Sequence, residues 1–333
     1  MKSREIIQRT LNFTGPERVG HSFEEKDLIV TGNTAPTYAT NWKQMEKNRW
    51  ERVDEWGNTW IRLDETSKGE VTQGVLKDIN DIDSYKFPDF SNFQDYQRVQ
   101  MARQDNPDTY ILGAVPGFAF NIARKLLKLD TYLMALMLER ELVVKLHDRI
   151  DKLVADMIAN YAAAGADAIF FWEDWGTQTQ TLVSPQLWRE EFWPRFEKLC
   201  SLAHEHGIKV FMHSCGKIMS IVGGLIEAGV DVLQFDQPTL HGIDTLAAFQ
   251  ESAKITFWCP VDVQKTLQTC DEQIIRTEAR QMLDKLWKGR GGFIAGYYDD
   301  NVSIGLTPEI QGWACDEFTK RGLSKYYNNG EIL

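Results

Sequence analysis

A parallel α/β fold, read as an eightfold barrel, is predicted by two observations. Short apolar runs alternate with helical patterns along most of the chain, and no strand runs into a glycine fingerprint for a dinucleotide or a phosphate loop. The length of 333 residues suits one large α/β barrel or two ordinary domains. We read residues 1–333 as a single domain, with residues 38–93 as an N-terminal elaboration over one part of the barrel.

The units follow in order. Tyr110–Val115 is a strand feeding helices from about Asn121 to Ala164. Ala168–Trp172 (AIFFW) is a buried-strand run, followed by a loop to Val183 and a helix start at Ser184-Pro185. That helix places Trp188, Phe192, Phe196, Leu199 and Ala203 on one face and stops at Gly207. Lys209–His213 is the next strand, then a helix over Lys217–Ala228 stopped by Gly229. Asp231–Phe235, Lys254–Trp258 and Gly292–Gly296 are further strands, followed by helices near Thr245–Glu251, Asp271–Lys288 and Thr307–Arg321. Arg18–Phe23 is a seventh candidate strand, and an eighth is left open. Residues Tyr38–Phe93 differ: they are rich in tryptophan and charge, and the alternation over Trp56–Leu63 suggests an antiparallel ribbon.

Composition narrows the function. Hydrophobic residues make up 43% and charged residues 26%, enough for a large buried core. The net charge of −11 disfavours nucleic acid and anionic membranes. No apolar run approaches the roughly 20 residues of a membrane span, and the charged N-terminus does not read as a secretory signal. The five cysteines are odd in number and scattered, which reads as reduced and cytoplasmic rather than as a disulfide framework.

In a parallel barrel the active site lies in the loops after the strands, so polar residues there are the candidates. His213 and Cys215 stand two apart at the end of a strand, and residues at that spacing point to one side. Imidazole and thiolate suit zinc; a core histidine beside a buried thiol is the competing account. Cys259 ends another strand and is the candidate third ligand, with a small core hydrophobe as its alternative. Glu173, Asp174 and Asp236 follow strands. Neighbours on an extended chain point oppositely, so one of Glu173 and Asp174 faces the mouth, as a general acid or base or a metal ligand. A turn cap is the alternative, and Asp236 carries the same ambiguity. Phe118, Trp172 and Trp175, together with Tyr298 after the last strand, are the candidate walls of a substrate pocket.

Several stretches resemble the uroporphyrinogen decarboxylase superfamily. These are SREIIQRTLNFTGPERV, VDEWGNTWIRLDETSKGEV, EDWGTQTQTLVSPQLWREEFWPRFEKLCSLAHEHGIKVFMHSCGKI, the most specific, and GGFIAGYYDDN. The resemblance implies a (β/α)8 TIM barrel and so supplies the eighth strand. It also separates two branches. True decarboxylases carry an Arg-Gln-Ala-Gly-Arg-Tyr motif that holds substrate carboxylates, whereas this chain reads GHSFEEKDLIV after Val19. The other branch uses zinc, held by a His-x-Cys pair and a later cysteine, to move methyl groups between a small substrate or thiol and a corrinoid protein.

His213 and Cys215 match that pair. The later cysteine is replaced by Tyr297-Tyr298-Asp299-Asp300, which leaves Cys259, a carboxylate such as Glu173 or Asp299, or no metal at all. The resemblance thus implies a corrinoid-dependent methyltransferase with zinc, a corrinoid-protein partner, a small methyl donor or acceptor (a methoxylated aromatic among them) and a homodimer. A metal-free decarboxylase or lyase acting on a small acid or porphyrin-type substrate, and a non-catalytic tetrapyrrole-binding paralogue, are the alternatives.

Overall fold

Strands that alternate with helices and run in one direction close on themselves when each buries both faces, and this chain does so. The computed structural model describes residues 1–328 and 331–332. In chain order the strands are β1 (Gly20–His21), β2 (Leu28–Thr31), β3 (Lys43–Glu46), β4 (Arg49–Val53), β5 (Thr59–Arg62) and β6 (Glu70–Gln73). They continue as β7 (Tyr110–Val115), β8 (Ala168–Trp172), β9 (Lys209–His213), β10 (Val232–Gln234), β11 (Thr256–Cys259) and β12 (Phe293–Ala295). Eight of them form a parallel sheet in the order β1-β12-β11-β10-β9-β8-β7-β2, a nearly closed (β/α)8 barrel.

The predicted strand at Arg18–Phe23 shortens to β1, and the open eighth position is β2, immediately after it. Asp27 staples this seam. Its backbone N–H donates to the His21 carbonyl at 3.0 Å, and its carboxylate accepts from the His21 N–H at 2.9 Å and from the Arg18 guanidinium at 2.6 Å. The segment predicted helical from Asn121 to Ala164 is three helices, Ala119–Leu126, Leu129–Leu138 and Arg140–Ala163.

Alternation along the strands sorts their side chains. Leu112, Ala168, Phe170, Phe211, Val232, Trp258 and Ile294 form the inner cluster, with Ile7 and Leu11 of the N-terminal helix (Ser3–Asn12) packed into it. Phe171, Val210, Met212, Leu233, Phe257 and Cys259 belong to the outer layer against the helices. Each large side chain so buried contributes roughly 1.5–3 kcal/mol. The inward register above Phe170 and Phe211 is Trp172, His213, Gln234 and Trp258, which are direct neighbours across β8, β9, β10 and β11. This is the layer at the barrel mouth.

The tryptophan-rich elaboration is a four-stranded antiparallel sheet, β3-β4-β5-β6. It docks on the loop and helix after β7: the Leu76 N–H donates to the Leu126 carbonyl at 2.9 Å, and the Lys125 ammonium lies 5.7 Å from the Trp60 ring. Its β5–β6 loop reaches Tyr298, to whose hydroxyl the Lys68 ammonium donates at 2.8 Å.

Candidate metal centre at the barrel mouth

Three side chains converge at the mouth. His213 Nε2 lies 3.2 Å from Cys215 Sγ and 3.5 Å from Asp174 Oδ1. One ligand atom from each of the three falls within 4.8 Å of the others. The other imidazole nitrogen, Nδ1, is hydrogen-bonded to the Gln234 side-chain oxygen, and Gln234 donates to Asp236 Oδ1 at 2.9 Å. An amide oxygen only accepts, so Nδ1 carries a proton in either charge state, and Nε2 is the nitrogen turned to the site, free to ligate a metal once its own proton is displaced. Burial alone would push this imidazole down. The Cys215 thiol and the Asp236 and Asp174 carboxylates outweigh it and hold it at about 10.

The loops are pinned by close backbone contact. Cys215 N–H donates to Asp174 Oδ1 at 3.1 Å, Gly176 N–H to the Cys215 carbonyl at 3.2 Å, and Lys217 N–H to the Thr177 carbonyl at 2.7 Å. Gly216 has φ +75°, and a Cβ there would meet the Gly176 carbonyl at 2.4 Å. Only glycine permits that approach. Ser214 turns away, as the spacing predicts, and accepts from the Trp175 N–H at 3.2 Å.

Asp174 is also bound by Arg124 at 3.1 Å. Burial opposes its charge, but His213, Arg124 and the Cys215 N–H together hold its carboxyl below the ordinary value. An imidazole nitrogen, a thiolate and a carboxylate oxygen are all accepted zinc donors, and three protein ligands leave a position for substrate. The fixed tautomer supports the same use.

The structure separates the remaining candidates. Cys259 is fully buried in the outer layer, because strand alternation turns Trp258 inward and its neighbour outward; it is not brought to His213 and Cys215. Asp299 is exposed and pairs with Lys26 at 3.2 Å. Asp236 stands behind Gln234 rather than in the cluster.

Glu173 faces away from the mouth. Fully buried, its carboxylate accepts from the Phe118 N–H at 2.5 Å and the Asn121 N–H at 3.2 Å, which caps the helix Ala119–Leu126. Burial pushes its carboxyl up to about 8, against the pull of those donors. Glu173→Ala, which leaves two buried N–H groups without acceptors, is expected to cost about 2–4 kcal/mol of stability. Glu173→Gln, still an acceptor, should cost much less. Denaturant midpoints of the two variants check this, and equal midpoints would rule out the capping role.

Of the aromatic candidates, Trp172 lies in the mouth layer, 39% exposed, and the Tyr298 hydroxyl, after the last strand, accepts from Lys68 of the elaboration at 2.8 Å. Phe118 and Trp175 are buried behind the sheet, stacked on Phe171 at 3.9 Å and on Phe120 at 4.0 Å between ring centroids. They are core, not pocket wall. Gln234, Arg124 and Lys68 had not been singled out in the sequence. For Gln234 the signal was present: a polar residue at the inward position of VLQF.

An eight-stranded parallel barrel with its polar cluster at the strand C-termini defines an enzyme-type α/β barrel. Within that class, residues 60–311 match the family model described as uroporphyrinogen decarboxylase (URO-D). The chain belongs to that family. A methyltransferase from Methanosarcina mazei shares the fold, with a TM-score of 0.58 at 16% identity over 77% of this chain and 73% of that one. A B12-independent methionine synthase from Shewanella sp. W3-18-1 aligns over 85% of this chain and 75% of that one, at 11% identity and a TM-score of 0.46. No curated protein sequence matches the chain. No helix among the described residues is long and apolar enough to cross a membrane.

Proposed function

We propose that the protein is a zinc-dependent methyltransferase that moves a methyl group between a small methylated substrate and a separate corrinoid protein. The observation that carries this reading is the cluster of Asp174, His213 and Cys215 at the mouth of a URO-D family barrel, with the imidazole tautomer set by Gln234. The fold shared with the Methanosarcina mazei methyltransferase agrees with it.

His213, Cys215 and Asp174 would hold the metal, with Asp174 standing where Cys259 had been expected. Zinc bound there supplies Lewis acidity, polarising a methyl-bearing heteroatom or lowering the pKa of an acceptor thiol. Gln234 orients the imidazole, and Arg124 keeps the Asp174 carboxylate charged and directed. Trp172 and Tyr298 wall the mouth, and the β5–β6 loop narrows solvent access through Lys68.

The test is spectroscopic. Zinc-loaded protein, a reduced corrinoid protein and a panel of methyl donors that includes methoxylated aromatics should change the corrinoid absorbance. No change with any donor would end the reading. A second reading, a metal-free decarboxylase acting on a small acid, is favoured by the cationic wall of the cleft described below. Acid turnover that survives chelation would establish it instead.

A further inference from the structure

A cleft of about 1040 Å³ opens beside the candidate metal centre and shares Asp174 and Arg124 with it. Its far wall is made by the elaboration and the helix it docks on. The Arg52 guanidinium lies 5.1 Å from the Trp42 ring and 4.9 Å from the Trp60 ring, and Arg62 lies 4.6 Å from Trp42. Lys125 faces the cleft at 5.7 Å from Trp60.

Other cleft charges are spoken for: Arg124 by Asp174 at 3.1 Å, Lys128 by Asp130 at 3.0 Å, Lys68 by Tyr298 at 2.8 Å. Arg52, Arg62 and Lys125 have no carboxylate within 4.0 Å among the described residues, although the exposed Glu65, Glu70 and Asp300 line the same cleft. The Nε atoms of Arg52 and Arg62 are buried without an acceptor. Burial pushes the Lys125 ammonium down, and the nearby Glu55 and Asp54 only oppose this.

Three half-buried cations whose close partners are indole rings and not carboxylates keep unmet hydrogen-bond donors, and that desolvation is offset when something anionic meets them. In a chain of net charge −11 their concentration on one wall is not a general surface property. We infer that this wall anchors the acid group of a small aromatic carboxylate, with Lys125, Arg52 and Arg62 at the carboxylate and Trp42 and Trp60 beside the ring. That the far end of the ligand presents a methyl group to Asp174, His213 and Cys215 rests on the methyltransferase reading; the anchor does not.

The experiment is equilibrium binding of 4-methoxybenzoate and its neutral counterpart 4-methoxybenzamide to the full chain, followed by tryptophan fluorescence or calorimetry. The carboxylate should bind about tenfold more tightly or better, as a charge-assisted contact requires, and the gap should narrow as salt rises. Lys125→Met and Arg62→Gln should each shrink the gap while leaving amide binding unchanged. Equal binding of the two probes by the unmodified protein, or a gap that survives in both variants, would overturn the anchor. Preferential carboxylate binding with no methyl transfer from any donor would keep the anchor and sink the methyltransferase reading. Methyl transfer with no carboxylate preference would do the reverse.

Discussion

Cys215→Ser is expected to abolish zinc binding and to lower methyl transfer by about a thousandfold, while Cys259→Ser leaves both intact. A catalytic zinc with three protein ligands loses its softest donor when thiolate becomes hydroxyl, and serine is not ionised near neutral pH. Cys259, in the outer layer, offers no atom to the centre and acts as a small apolar side chain. Gln234→Leu should weaken zinc by roughly 10–100-fold, the usual cost of removing a partner that orients a ligating histidine. Asp174→Asn should weaken it too, because a neutral amide replaces the carboxylate that Arg124 and the Cys215 N–H hold in place. Metal content per chain, measured on anaerobically purified variants, decides the matter. Full zinc in Cys215→Ser would remove the centre from consideration, and loss of zinc in Cys259→Ser would restore the ligand set expected from the sequence.

The contrast between Cys215 and Cys259 separates what local sequence carries from what only the fold decides. His213 and Cys215 were legible because period-two alternation is local, and a strand end followed by glycine is visible in KVFMHSCG. The same rule, applied to β11, would have excluded Cys259: Trp258 occupies the inward register beside Gln234, so its neighbour faces the helices. Choosing between Glu173 and Asp174 was beyond local reasoning. Both follow β8, and only the approach of the loop after β7 shows that Glu173 caps the helix at Ala119 while Asp174 meets Cys215. The eighth strand, Leu28–Thr31, does carry a short apolar run, Leu-Ile-Val, but it follows β1 with no helix between, so the alternation of strand and helix that revealed the other strands does not mark it. The cationic wall is a tertiary product. Arg52, Arg62 and Lys125 come from two strands of one sheet and from a helix, and nothing in their spacing announces that they share a cleft.

Arg195→Met is expected to destabilise the fold by about 3 kcal/mol, the cost of leaving the buried Asp151 without its partner while Glu191 keeps Arg140 at 3.3 Å. Arg195 donates to Glu191 at 2.9 Å, to Asp148 at 2.8 Å and to Asp151 at 2.5 Å, and Glu191 and Asp151 are both buried. Glu191 in turn accepts from His147 Nδ1 at 2.7 Å, and the Tyr132 hydroxyl meets His147 Nε2 at 2.9 Å. This chain of contacts stands behind Phe192 and Phe120, which pack on Trp175 next to the Asp174 loop, so its loss should loosen the wall of the site. Asp151→Asn in the same background should recover part of the deficit by removing one stranded charge.

The network also sets a pH dependence. Burial holds the His147 imidazole below its ordinary 6.5, against the pull of Glu191. Between the lowered folded value and 6.5 the unfolded chain therefore binds a proton that the folded chain refuses, and stability falls as pH drops through that window. Glu191, held below its ordinary 4.5 by His147 and Arg195 against its burial, adds a loss of the same sign at lower pH. Asp151, raised by burial, works in the opposite direction in that acidic range. Glu173, raised to about 8, and His213, raised to about 10, bind protons more readily folded than unfolded. They push the other way between pH 7.5 and 5, so the His147 contribution is read as a difference. The urea midpoint of the unmodified protein minus that of His147→Gln should fall from pH 7.5 to 6 to 5. A difference that holds constant from pH 7.5 to 5 would show that the buried imidazole carries no such linkage.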